Sequence, residues 1–232
     1  MTREIVLDTE TTGLDPFSGH RVVEIGCVEM LHGMRTGNTF HVYLNPERDM
    51  PDEAYRVHGI SGEFLKDKPV FAEKVDEFLE FLADSQLVIH NAGFDMKFIN
   101  WELERLGFKA IPMSRATDTV QIARKKFPGS PASLDALCKR FEIDLSARTK
   151  HGALLDAELL SDVYVELMGG RQVTLALDAL APPPLPASET TIHVAAEVLP
   201  SREFPVPAEE LAAHREFVAS LKNPIWLEIK DV

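Results

Sequence analysis

The first 170 residues predict an α/β fold, a mixed sheet that begins antiparallel and is covered by helices. Two observations carry that reading. Three strand-like runs open the chain, the second and third joined by a turn-rich stretch. Short apolar runs then alternate with amphipathic helical ones up to about residue 170.

The opening strand is Glu4-Ile5-Val6-Leu7-Asp8-Thr9-Glu10. Val22 to Leu31 is apolar on both faces, as an interior strand is. His32 to Gly37 reads as the hairpin turn, and Thr39 to Leu44 then sets Phe40, Val42 and Leu44 on one side. After Pro69, Phe71, Val75, Phe78, Leu79 and Leu82 recur at helical spacing. Leu87 to His90 is a short buried strand, a turn at Gly93 follows, and the helix through Phe94, Phe98 and Trp101 ends at Gly107. A strand near Ala116-Thr117 leads into a helix from Val120 to Phe127, and Ser133 to Phe141 is the next helix. Ala153, Ala157, Leu160, Tyr164 and Leu167 mark a last one, stopped by Gly169-Gly170.

With 232 residues, 45% hydrophobic and 26% charged, the chain suits one good-sized core. It has no basic leader or membrane-length apolar segment, so a cytoplasmic location with no membrane partner is expected. Cys27 and Cys138 sit in core-like runs and read as buried thiols of a reducing compartment. The net charge of −13 excludes a protein that grips nucleic acid through a broad basic surface. An acidic chain can still act on the end of a strand if a metal handles the phosphate and a partner protein holds the rest.

Composition shifts after Gly170. Residues 173–232 hold eight of the fifteen prolines, including Pro182-Pro183-Pro184, and read as an extended, semi-rigid linker. Order returns near Pro207, where Leu211, His214, Val218 and Leu221 share a helix face before Lys222-Asn223-Pro224. That face and Trp226 need something to bury against, and a partner protein is expected. The organisation is therefore 1–170, a folded domain; 171–206, a linker; and 207–232, a terminal segment.

Chemistry starts at Asp8-Thr9-Glu10. Carboxylates two apart on a strand share a face, repel each other and resist burial unless a cation neutralises them. No Lys or Arg alternates with them, so a divalent metal is the simplest compensation. Asp95 falls in the first turn of its helix. His151 and Asp156 are five apart; on one continuous helix they would point roughly 140° apart. They converge only if His151 lies on the loop before the helix, which Gly152 permits.

Asp8, Glu10, Asp95, His151 and Asp156, in that order at element ends, resemble the His-containing DEDD family of 3′→5′ exonucleases, of ribonuclease H-like fold. Ile5 to Gly13, Phe40 to Leu44, Val57-His58-Gly59-Ile60 and Val88 to Ala92 are similar to its proofreading branch, the epsilon-subunit family of bacterial DNA polymerase III. So are Ala123 to Gly129, Ser133 to Cys138 and His151 to Ala157. The resemblance spans about residues 3 to 170 and implies a five-stranded sheet whose first three strands are antiparallel.

It also implies two-metal phosphodiester hydrolysis with Mg²⁺ or Mn²⁺, hard cations that prefer carboxylate oxygens. Asp8 would bridge both ions, Glu10 and Asp156 would share the ion holding the attacking water, and Asp95 would hold the second. His151 would be the general base. Asp8, Glu10 and Asp156 would also contact substrate; Glu53 would reach the 3′ hydroxyl and His58 a phosphate or sugar. Leu14 would be an apolar wedge at the terminal base. Arg124-Lys125-Lys126 reads as a solvated helix face, and Glu24 and Asp118 as supports near the sheet ends rather than ligands.

Two tail segments resemble partner motifs. Gln172-Val173-Thr174-Leu175-Ala176-Leu177 is similar to a sliding-clamp motif, through Gln172, Leu175 and Leu177. Glu209 through Leu227, with Leu211, Val218, Leu221 and Trp226, is similar to the segment that holds the polymerase alpha subunit. The implied activity is proofreading at a DNA 3′ end, releasing nucleoside 5′-monophosphates. RNA trimming and a non-catalytic bridge between clamp and polymerase are the alternatives, and a small accessory subunit is left open.

Overall fold

A computed structural model of the chain describes residues 3–146, 148, 150–170 and 206–222. The chain divides into two compact units, Met1–Ala176 and Leu177–Val232. In the second, the described part is one helix, Ala208–Ser220, which carries Leu211 and Val218; Leu221 follows it. Gln172, Leu175, Leu177 and Trp226 lie outside the described residues. No helix among the described residues is long and apolar enough to cross a membrane.

The first unit is built on five strands: β1 (Arg3–Thr11), β2 (Val22–Leu31), β3 (Met34–Tyr43), β4 (Gln86–Ile89) and β5 (Ala116–Asp118). Their order is β3-β2-β1-β4-β5. β1–β2 and β2–β3 pair antiparallel, while β1–β4 and β4–β5 pair parallel, giving the mixed sheet.

Alternation along β1 divides the core. Ile5 and Leu7 join Phe71, Val75, Phe78 and Leu82 of α3 (Phe71–Leu82) and Phe98 and Ile99 of α4 (Ala92–Arg105) in one cluster. Val6, facing the other way, joins Ala123 of α5 (Thr119–Lys126), Leu137 of α6 (Leu134–Arg140) and Leu160 and Val163 of α7 (Ala153–Leu167). Two short helices, α1 (Asp52–His58) and α2 (Gly62–Leu65), lie between β3 and α3. The period of two therefore sends Thr9 toward the α4 side and Asp8 and Glu10 toward the α7 side.

The register creates the opening. β1 pairs with β4 only from Glu4↔Gln86 to Leu7↔Ile89, whereas it pairs with β2 as far as Thr11. Asp8 to Thr11 thus project past the end of β4 with one flank free. Ligands bind beyond the carboxyl ends of parallel strands for this kind of reason. On the paired flank Asp8 faces Gly26, where a side-chain Cβ would overlap the backbone of Ala153 and Leu154.

Two turns differ from the sequence expectation. The hairpin turn is only His32-Gly33, both at positive φ (52° and 75°), the conformation that suits a right-twisted two-residue hairpin. Met34 to Gly37 belong to β3; they read as turn because this edge strand is exposed there and carries polar residues and glycine. The turn into α4 is made by Asn91, at φ 67°, and not by Gly93, which is already helical. Asn tolerates the left-handed region because its short amide bonds locally.

Candidate active site

Asp8 stands at the base of a cleft of about 860 Å³ whose lining includes His90, Asn91, Arg148, His151 and Asp156. Burial raises its carboxyl well above the usual range, and the charges of Asp95, Glu10, Asp156 and Glu24 raise it further. Glu10 is pushed up to about 8 by burial and by Asp156, Glu24 and Asp95, with Arg148 opposing. Asp95 rises to about 7, mainly through burial, although the Thr9 hydroxyl donates to it at 2.7 Å and pulls the other way. The four acids from β1, α4 and α7 thus share one electrostatic environment with too little positive charge.

The α7 side is assembled differently. Asp156 lies in the first turn of α7, and His151 lies on the preceding loop, with Nδ1 3.1 Å from Asp156 Oδ2. The backbone N–H of His151 reaches Val57 O of α1 at 3.5 Å. Glu24, buried on β2, accepts from the backbone N–H of Ala153 at 3.1 Å and contacts His41 Nε2 at 2.7 Å. An acidic acceptor at a helix N-terminus satisfies an orphan N–H and the helix dipole together. Glu24 thereby fixes the start of the helix that carries Asp156.

Asp118 has a similar job across the cleft. Its Oδ1 accepts from the N–H of Val120 at 2.9 Å and of Asn91 at 3.2 Å, tying β5, α5 and the Asn91 turn together. The three basic residues of α5 separate. Lys126 donates to the carbonyls of Glu166 and Leu167 (3.3 and 2.9 Å) at the end of α7, while Arg124 lines the cleft.

Glu53 is exposed in the first turn of α1. His58, at the other end of that helix, is buried; its Nδ1 accepts from Ile60 N–H at 3.0 Å and, among the described residues, its Nε2 meets no hydrogen-bond partner. The ring therefore carries its proton on Nε2. Burial holds His58 below the ordinary histidine range. Leu14 is 81% exposed beyond the end of β1, and Phe17, also exposed, stands near Lys97.

Arg148 was not anticipated. Its guanidinium makes a two-pronged pair with Asp156, Nε to Oδ1 at 2.6 Å and Nη2 to Oδ2 at 2.7 Å. The lack of an alternating Lys or Arg concerns only Asp8 and Glu10; the cation that pairs Asp156 comes from the loop before His151, far from β1 in sequence. Thr9 was also passed over, although its place between Asp8 and Glu10 dictates that it faces α4.

Glu10, His151 and Asp156 each offer one ligand atom, all within 4.8 Å of one another. Two carboxylates and an imidazole make a donor set that a hard divalent cation would complete.

Residues 5–164 match the model of the exonuclease family, and the chain belongs to that family. Within it the chain goes with the epsilon subunits of DNA polymerase III: it is 52% identical over 228 residues to "DNA polymerase III subunit epsilon" of Rickettsia felis, covering 94% of this chain and 96% of the relative. The fold is shared with the nuclease domain of 3′hExo, a DEDDh family member solved with rAMP (18% identity, TM-score 0.62, 72% and 91% covered). It is shared also with the zinc-bound Exonuclease I–single-stranded DNA complex of E. coli (17% identity, TM-score 0.63, 74% and 41% covered). The sheet is therefore the ribonuclease H-like one, and the chain is an exonuclease of a divalent-metal-dependent type.

Proposed function

We propose that the chain is the 3′→5′ proofreading exonuclease subunit of a replicative DNA polymerase, cleaving the terminal phosphodiester with two divalent ions, Mg²⁺ or Mn²⁺. The observation that carries this is that Asp8, Asp156 and His151 line one cleft, with Glu10 beside the latter two and the charges of Glu10 and Asp95 bearing on Asp8, in a chain of the epsilon family.

Asp8, Glu10, Asp95 and Asp156 are the ligands in this reading. Ions bound there would neutralise the phosphate and lower the pKa of the attacking water. His151 takes the proton of that water, and Asp156 beside it orients the ring. Asp8, Glu10 and Asp156 also face the scissile phosphate. Glu53 accepts from the 3′ hydroxyl, and His58 meets a phosphate or sugar oxygen. Leu14 wedges the terminal base. Fraying a mismatched pair costs less than fraying a matched one, which supplies selectivity.

The domain is 1–170, with a linker over 171–206 and a terminal segment over 207–232. Gln172, Leu175 and Leu177 would engage a sliding clamp, and Leu211, Val218, Leu221 and Trp226 the polymerase alpha subunit. Tethering raises the local concentration of the exonuclease at the primer end and lets an acidic chain act on DNA. The test is hydrolysis of mismatched primer–template DNA and of short RNA, with and without Mg²⁺. Metal-dependent release of deoxynucleoside 5′-monophosphates, fastest from mismatched ends, is expected. Preference for RNA would replace this reading with an RNA trimmer, and absent cleavage with a bridging scaffold.

A further inference from the structure

Arg148 spends its guanidinium on three acceptors at once. Nε and Nη2 hold both oxygens of Asp156, and Nη2 also lies 2.8 Å from His151 Nδ1. Nη1 pairs with Asp135, an exposed acid in the first turn of α6. The Arg148 side chain is 8% exposed, so this is a seated group rather than a surface contact.

Arginine only donates. The His151 Nδ1 that meets Nη2 therefore accepts in that contact, at 2.8 Å, in preference to donating to Asp156 Oδ2 at 3.1 Å. Both Asp156 oxygens accept from it as well, so a cation that reaches them meets a positive charge already seated there. Asp156 and His151 are also two of the three groups within 4.8 Å that offer a ligand atom each to a cation. One positive charge already occupies the place that a second would need.

We infer that Arg148 is the resident counterion of the metal site: it holds Asp156 and His151 in place in the metal-free protein, and a divalent ion must displace it to bind. This rests on the reading of the acids as metal ligands. Asp135 steadies the guanidinium in that seat through Nη1. Arg148 is then a positioning residue that acts through Asp156 and His151 and sets how readily the ion loads.

The experiment is Mn²⁺ binding by calorimetry and thermal melting in EDTA and in saturating Mn²⁺, on the full chain as wild type, Arg148→Gln and Asp135→Asn. Arg148→Gln is expected to bind Mn²⁺ about tenfold tighter, equivalent to about 1.4 kcal/mol. It should melt below wild type in EDTA, with the gap closing in Mn²⁺. Asp135→Asn, which leaves every proposed ligand intact, should tighten binding a fewfold by loosening the arginine. Unchanged or weaker Mn²⁺ binding in both variants overturns the counterion role, as does a melting deficit that is the same with and without Mn²⁺. If Arg148→Gln fails to fold, Asp135→Asn alone decides. Wild type that binds no Mn²⁺ would instead overturn the metal-site reading itself.

Discussion

The two sides of the cleft are built on different principles. On one side Asp8 and Glu10 ride a strand locked to β2, and Asp95 is fixed by a hydroxyl on that same strand. Their positions follow from backbone pairing, but their charges repel and burial leaves them poorly compensated. On the other side His151 and Asp156 depend on a loop and a helix start, held by Glu24 and Arg148, and there the charge is neutralised from within. One side has order without neutrality; the other has neutrality that must be given up to work. A site that waits for a cation can combine a stiff, repelling half with a half whose own cation yields.

His151→Ala breaks the comparison most sharply. Loss of a general base costs about 10²–10⁴-fold in turnover, whereas Mn²⁺ affinity should persist through the strand-borne acids. Single-turnover hydrolysis within a fewfold of wild type would remove His151 from the chemistry.

The next largest effect concerns pH. Glu10 at about 8 and Asp95 at about 7 bind protons more tightly in the folded chain than in the unfolded one, where ordinary carboxyl values apply. Between those ordinary values, near pH 4–4.5, and about pH 8, the native state holds the extra protons, so stability falls as pH rises. Melting in EDTA should therefore drop across that window and recover with Mg²⁺ or Mn²⁺, which bind only the folded site. A melting temperature that rises with pH in EDTA would mean the acids are compensated already.

Smaller changes test the two anchors separately. Glu24→Ala leaves the Ala153 N–H without its acceptor and should cost about 1–2 kcal/mol, with activity falling more than stability because Asp156 shifts. Thr9→Val removes one hydrogen bond to Asp95, about 1 kcal/mol, and should lower turnover only a fewfold, because the ladder still sets the strand. Equal activity losses in the two variants, measured by single-turnover kinetics, would erase the distinction between the sides.

The strand side was the legible one. A period of two puts Asp8 and Glu10 on one face by arithmetic, and apolar runs mark the strands around them. The helix starts near Asp95 and Asp156 were readable from spacing, and so was the need for His151 to sit on a loop. What spacing does not carry is pairing across distance. Arg148 meets Asp156, Glu24 meets Ala153 and Asp118 meets Asn91 only after the sheet has closed. The turns were misjudged for a related reason: exposure of an edge strand makes β3 look like loop, and Asn91 takes the left-handed conformation that Gly93 advertises.

Gly26 carries a consequence of its own. Its missing side chain lets the start of α7 lie against β2 opposite Asp8. Even a methyl group there has to push that helix outward, and Asp156 and His151 travel with it. A genome could thus lose fidelity through an alanine codon at position 26 while every acid and the histidine stay spelled correctly, a lesion that a search for altered catalytic letters would pass over.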